Sequence, residues 1–321
     1  MFADLRAADV LAAARRLDGV ARQTPLVHSP DLSARAGGDV YLKMENEQVT
    51  GSFKLRGAYN ALATLPAEVR ARGVVASSAG NHGLGVAWAA HALGIRATIF
   101  VPSTAPRVKR DGIAALGAEV NDSEPDYDAA MDAAKAHAAR LGAPFINPCL
   151  GDMLLAGQGT VALEILAAMP DVASLVLPVG GGGLLGGTGS IVRRTAPEVR
   201  ILGAQSERTR AMSESVAAQR VVPVPVEPTL ADGLAGQIDD EALDIGRSAL
   251  DAIVQVSETA IGAAIAWLTH AHGARVEGAG AVGVAAIRER AFGDALRFPA
   301  VAIVSGGNID AARHEELLAR F

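Results

Sequence analysis

Short apolar runs alternate with helix-patterned segments along most of this chain, and that alternation restricts it to a layered α/β fold. GVVASS (73–78), RATIFVP (96–102), GAEVND (117–122) and LGAPFINP (141–148) read as strands, separated by helical segments at 81–93, 106–116 and 126–141. The pattern continues with a helix at 153–168, strand SLVLPV (174–179), a glycine turn opening a helix through Arg194, and strands at 199–205 and 251–256. Helices near 258–272 and 278–290, strand PAVAIVS (299–305) and a helix near 310–319 follow. A helix over 7–17, stopped by Gly19, and a strand over 39–45 come first. Strands joined through long helical crossovers pair in parallel. Residues 206–238, with VVPVPVEPTLADGLAG, read as a long loop.

Residues 49–148 form a self-contained βα set, and 1–48 with 149–321 supply a second. The expectation is therefore two parallel-sheet α/β domains with a ligand crevice between them. A net charge of −6 without any basic run gives no general attraction to nucleic acid. No apolar run approaches the ~18 residues of a membrane span, and the first twenty residues carry charge throughout, unlike a signal peptide. The one cysteine, Cys149, permits no internal disulfide and suits a reducing, cytoplasmic setting. No base stands beside it in INPCLG, so it reads as a packing residue rather than a nucleophile.

The chemistry concentrates in a few segments. In PVGGGGLLGGTG, Gly180, Gly181, Gly182 and Gly183 lie between a strand and a helix, where uncovered N–H groups and the helix start form an anion cradle. Gly181-x-Gly183-x-x-Gly186 also has dinucleotide spacing, but the following strand ends in Gln205 with Glu207 two residues on, which leaves a nicotinamide enzyme as the rival. In TGSFKLRGA (50–58), Ser52 can cap a helix to about Leu62, with Lys54 in its first turn behind Phe53. An amine attacks a carbonyl only without its proton, and partial burial favours the neutral form. A phosphate cradle plus such a lysine points to pyridoxal 5'-phosphate (PLP), carried as a Schiff base. In SSAGNHGLG (77–85), Ser78 and the turn N–H groups can hold a carboxylate. Asn81 either donates to a phenolate oxygen or caps a helix, and His82 is either part of the site or an ordinary buried histidine. Ser305, ending a strand before GGNID, either faces a ring nitrogen or serves a turn.

Together with GQGT (157–160), TLADGLA (229–235) and EGAGA (277–281), these segments stand in a familiar order. The chain resembles the PLP enzymes of the tryptophan synthase β fold (fold type II), and within them the serine/threonine dehydratase and serine racemase branch. The resemblance implies that Lys54 is the Schiff-base lysine, that Phe53 packs on the ring, and that Asn81 is the ligand of the 3′-oxygen. It makes Gly180, Gly181, Gly182 and Gly183 the phosphate loop and Ser305 the partner of the pyridine nitrogen. Ser78, Gly80, Asn81 and His82 become the substrate-carboxylate loop. The implied reaction is β-elimination of water from a small amino acid, L-threonine and/or L-serine, giving a 2-oxo acid and ammonia. A homodimer or homotetramer is the implied assembly.

Three departures refine this expectation. Racemases of the branch place a serine directly before Gly-Asn-His, where this chain has Ala79, so elimination is expected over racemisation. Metal-binding relatives carry a glutamate where Gln205 stands, so no metal is expected there. The chain ends soon after SGGNID, as in the short catabolic form without a regulatory domain. Dehydration of 3-hydroxyaspartate, phenylserine or hydroxyectoine-pathway substrates stays open.

Overall fold

The computed structural model describes residues 5–321, so the first four residues of the expected 1–48 segment lie outside the described residues. In chain order the strands are β1 (Leu26–His28), β2 (Val40–Lys43), β3 (Val74–Ser77), β4 (Ala97–Pro102), β5 (Glu119–Glu124), β6 (Ser174–Pro178), β7 (Arg200–Ser206), β8 (Ala252–Val256) and β9 (Ala300–Ile303). They form a six-stranded sheet ordered β1-β2-β9-β6-β7-β8 and a three-stranded sheet ordered β3-β4-β5. Every pair is parallel except β1–β2, an antiparallel edge that the parallel expectation did not include.

Side chains alternate across the large sheet, as strand geometry requires. Leu175, Leu177, Ile201, Val301 and Ile303 enter one apolar core, where Leu155, Ile165 and Ile191 meet them. Val176, Leu202, Ala204, Ala300 and Ala302 enter a second core with Ile265, Val282 and Ala285. With helices on both faces, the central strands become continuous apolar runs. On the small sheet, Val75 and Phe100 pack on Ala130, Ala134 and Ala138, an alanine stripe at helical spacing.

Helix ends follow local chemistry. Asp126 accepts from the N–H of Ala129 and Ser257 from that of Ala260, starting helices Tyr127–Leu141 and Glu258–His272. Gly94, Gly142 and Gly273 end helices in the left-handed conformation that glycine adopts without strain.

The structure corrects some sequence expectations. Ser52 does not cap the Lys54–Ala63 helix; Phe53 occupies the cap position without a side-chain bond, and Ser52 instead pairs in an isolated bridge with Gly306. LGAPFINP makes only one bridge, Phe145 to Val75. Residues 206–238 contain the helix Ala211–Ala218, and a further helix, Asp240–Ala249, follows.

Candidate active site

Three neighbouring strands of the large sheet deliver most of the site from their C-terminal ends. β2 runs into the segment leading to Lys54, β9 into Ser305–Asn308, and β6 into the glycine loop. The C-terminal end of β3 brings in Ser78–His82 from the other sheet. This is the edge at which open parallel sheets bind ligands.

Lys54 opens its helix, half-buried, with Nζ donating to the carbonyl of Pro148 at 2.7 Å and lying 5.3 Å from the centre of the buried Phe53 ring. The Phe53 N–H donates to the carbonyl of Ser305 at 3.1 Å, which ties the lysine segment to the end of β9. Next to Pro148, Cys149 packs on the glycine loop. A β-carbon on Gly181 would stand 2.6 Å from the Cys149 Sγ, and one on Gly183 3.1 Å from its Cα. Leu234, in TLADGLA, closes on the other side, 3.0 Å from a β-carbon at Gly180. Glu258 holds that segment, accepting from the Thr229 hydroxyl at 2.7 Å and the Leu230 N–H at 2.6 Å. Gly182 is left-handed, and among the described residues the first helical N–H given to a backbone carbonyl is that of Gly186, to Gly182 at 2.7 Å. The loop thus keeps N–H groups for an anion, beside an amine. This donor set fits a ligand with a phosphate at one end and an amine-reactive carbonyl at the other.

Glycine contacts hold amine and loop in register. A β-carbon on Gly157 would meet the Arg56 carbonyl at 2.4 Å, and one on Gly187 the Gly159 nitrogen at 2.5 Å. The Lys54 and glycine-loop helices therefore press on opposite flanks of helix Asp152–Ala168, which explains GQGT. Below Lys54, Arg56 is buried in an ionic cluster. It bonds both carboxylate oxygens of Glu45 at 2.8 Å and Glu164 at 2.6 Å, and Lys43 joins Glu164 at 2.5 Å. Burial alone would raise the Glu45 pKa, but Arg56, Thr24 and Lys43 hold it below the usual carboxylate range.

Asn81 is the first residue of its helix rather than its cap, which is Gly80. Its Nδ2 donates to Glu277 Oε1 at 2.6 Å, and its Oδ1 accepts from Asn308 Nδ2 at 2.7 Å. Glu277 is buried, and a β-carbon on Gly306 would stand 2.5 Å from its Oε1. Burial, with the charge of Asp232, pushes Glu277 up to about 7, while Asn81 and Lys109 pull the other way. Sequence reading placed EGAGA in the pattern without assigning Glu277 a place in the site. The Ser78 hydroxyl accepts from the Gly80 N–H at 3.1 Å and closes the turn. His82 is buried, with Nε2 on the Ile146 carbonyl at 2.9 Å. Burial, then the charge of Lys54, pushes it down to about 3, so the ring is neutral.

Gln205 is fully buried. Its Nε2 donates to the carbonyls of Val179 at 2.9 Å and Thr209 at 2.6 Å, and its Oε1 accepts from the Ser213 N–H at 2.9 Å. Among the described residues, no three His, Cys, Asp or Glu side chains gather as a metal set, and no helix is long and apolar enough to cross a membrane.

Comparison with known proteins agrees with this geometry. The family described as "Pyridoxal-phosphate dependent enzyme" matches residues 17–306. An L-threonine ammonia-lyase of Thermotoga maritima is 44% identical over 303 residues, covering 94% of this chain and 75% of that protein. The processed threonine deaminase isoform 2 of Solanum lycopersicum superposes with a TM-score of 0.91 at 33% identity, covering 98% of this chain and 87% of that one. Maize serine racemase gives 0.91 at 30% identity, covering 98% of each chain.

Proposed function

The chain belongs to the pyridoxal-phosphate dependent enzymes, and on that premise we propose that it is an ammonia-lyase acting on L-threonine and/or L-serine. Water is lost from the β-hydroxy amino acid, the enamine released takes water back, and a 2-oxo acid and ammonia result. The relatives named threonine ammonia-lyase and threonine deaminase support this reading. The observation that carries it is Lys54, whose amine bonds the Pro148 carbonyl while the adjoining Cys149 packs on the glycine loop.

When bound, PLP supplies an electron sink for negative charge at the substrate Cα. Lys54 is the residue that would hold it, and its amine, when free, would take the Cα proton. The N–H groups of Gly180, Gly181, Gly182 and Gly183 would hold the phosphate, and Phe53 would cover the ring. Asn81 would donate to the 3′-oxygen. Ser305 would be the partner of the ring nitrogen, and a neutral hydroxyl there would leave that nitrogen largely unprotonated, which would favour quick loss of the β-substituent. Ser78, Gly80, Asn81 and His82 receive the substrate carboxylate. His82, neutral and fixed on Ile146, acts by shaping that turn rather than by charge. Ala79, half-buried between Ser78 and Gly80, has no proton to exchange, which supports elimination over racemisation.

The two sheets support reading 49–148 as a small domain, and 1–48 with 149–321 as the large one. We read the assembly as a homodimer or homotetramer working in the cytoplasm. The test is keto-acid release by purified holoenzyme across β-hydroxy amino acids. Threonine and serine should lead, and Lys54→Ala should abolish turnover and bind the cofactor loosely. Keto-acid release by Lys54→Ala at a comparable rate would reject the assignment.

A further inference from the structure

An asparagine amide has the same shape either way round, so its partners decide which end is N–H and which is carbonyl. At Asn81 both ends are decided. Asn308 Nδ2 donates to the Thr50 carbonyl at 2.9 Å as well as to Asn81 Oδ1. The Thr50 carbonyl can only accept, so it fixes Asn308 with its N–H₂ end towards Asn81. On the other flank stands Glu277 Oε1, which, when ionised, also only accepts. Gly306 lets that carboxylate come close, because any β-carbon there would collide with it. The Glu277 N–H donates to the Gly306 carbonyl at 3.1 Å, which fixes the backbone as well. Asn81 therefore has one N–H left over.

We propose that Glu277 is a positioning residue that, with Asn308, clamps the Asn81 amide so that its spare N–H, not its carbonyl, faces the cofactor. This rests on the reading of Asn81 as the ligand of the 3′-oxygen. The carbonyl end would repel that oxygen; the N–H end bonds it. The groups facing the Glu277 carboxylate are Asp232, Lys109, the Asn81 side chain and the Asn308 N–H. Once protonated, Glu277 can donate as well as accept, and the clamp then has one fixed side instead of two. Its ionisation near neutral pH makes the clamp firmer as pH rises.

The test compares wild-type holoenzyme with Glu277→Gln and Glu277→Asp. Glutamine keeps the shape but can present either end; aspartate keeps the acceptor. In Glu277→Gln, cofactor affinity should fall roughly ten-fold, about one hydrogen bond's worth, and the visible band of the bound cofactor should lose its pH dependence around neutrality. The melting temperature of the apoprotein should hardly move, and Glu277→Asp should restore part of both signals. Placed in Asn81→Ala, Glu277→Gln should have no further effect on affinity, since its action runs through that amide. Additive losses in the double variant, or an unchanged pH dependence in Glu277→Gln, would overturn the proposal. Should Glu277→Gln not fold, Asn308→Ala, at an exposed position, removes the other side of the clamp and must weaken affinity in the same direction. If Asn81→Ala alone leaves the cofactor band and affinity unchanged, the fault lies in the reading of Asn81 on which the clamp rests.

Discussion

Gly57 and Gly157 meet with no side chain between them: a β-carbon on Gly157 would lie 2.7 Å from the Gly57 Cα. The helix that presents Lys54 therefore rests directly on backbone. Gly157→Ala must push the two helices apart, costing about 1–3 kcal/mol by overpacking, and should lower kcat because Lys54 moves with its helix. Gly112→Ala is the control. Its β-carbon meets nothing nearer than Leu84 Cδ2 at 3.7 Å, and alanine suits a helix better. Urea unfolding and keto-acid release should separate the two, with Gly112→Ala at or above wild-type stability.

Glu45 gives the ionic cluster a pH signature. Its pKa in the folded protein is depressed, with burial opposed and outweighed by Arg56, Thr24 and Lys43. A depressed carboxylate stabilises the fold above its unfolded-state pKa, ~4, and that contribution fades as pH falls through the lower folded value. Glu45→Gln, which leaves Arg56 with an unpaired side, should cost about 3 kcal/mol at neutral pH. The gap from wild type should shrink below pH ~4. Chemical denaturation across that range measures both; a gap that stays constant into acid would contradict the assignment.

Gln205 fills its place with donors where a carboxylate could only accept. In Gln205→Glu, the carboxylate would face the Val179 and Thr209 carbonyls without a proton to give them. The melting temperature should fall, by an amount equivalent to about 1–3 kcal/mol. Magnesium or calcium should recover part of the loss, since three oxygens would then converge on one point. Wild type should show no such response to added cation.

Ala79 sits within the Ser78–His82 turn, half-buried. Ala79→Ser places an exchangeable proton there, and recovered serine should contain more of the D-enantiomer than with wild type. Chiral chromatography of unreacted substrate is the measurement. An unchanged enantiomer ratio would mean that the opposite face of the substrate is controlled from elsewhere.

The legible parts of the sequence were those whose meaning is local. Four glycines after an apolar run specify an uncovered turn wherever they occur, and helix 81–93 is bounded by Gly80 and Gly94 in the sequence itself. The illegible parts depend on distant partners. Ser52 had the chemistry of a cap, but Gly306 took its backbone into a bridge. Glu277 stands 196 positions from Asn81, and Arg56 108 from Glu164, so neither pairing leaves a local trace. Helix Ala211–Ala218 was hidden because the prolines that follow it dominate the composition of that stretch.

Because β2, β9 and β6 are neighbours, the pieces that would grip the cofactor rise from one rigid edge, while Ser78–His82 is mounted on a separate sheet. The Asn81 amide, bonded to Glu277 and Asn308, is the tie between the two. A substitution in that turn that leaves Asn81 in place can therefore change what the turn accepts on its own, whereas one that shifts Asn81 is transmitted to the strand edge as well.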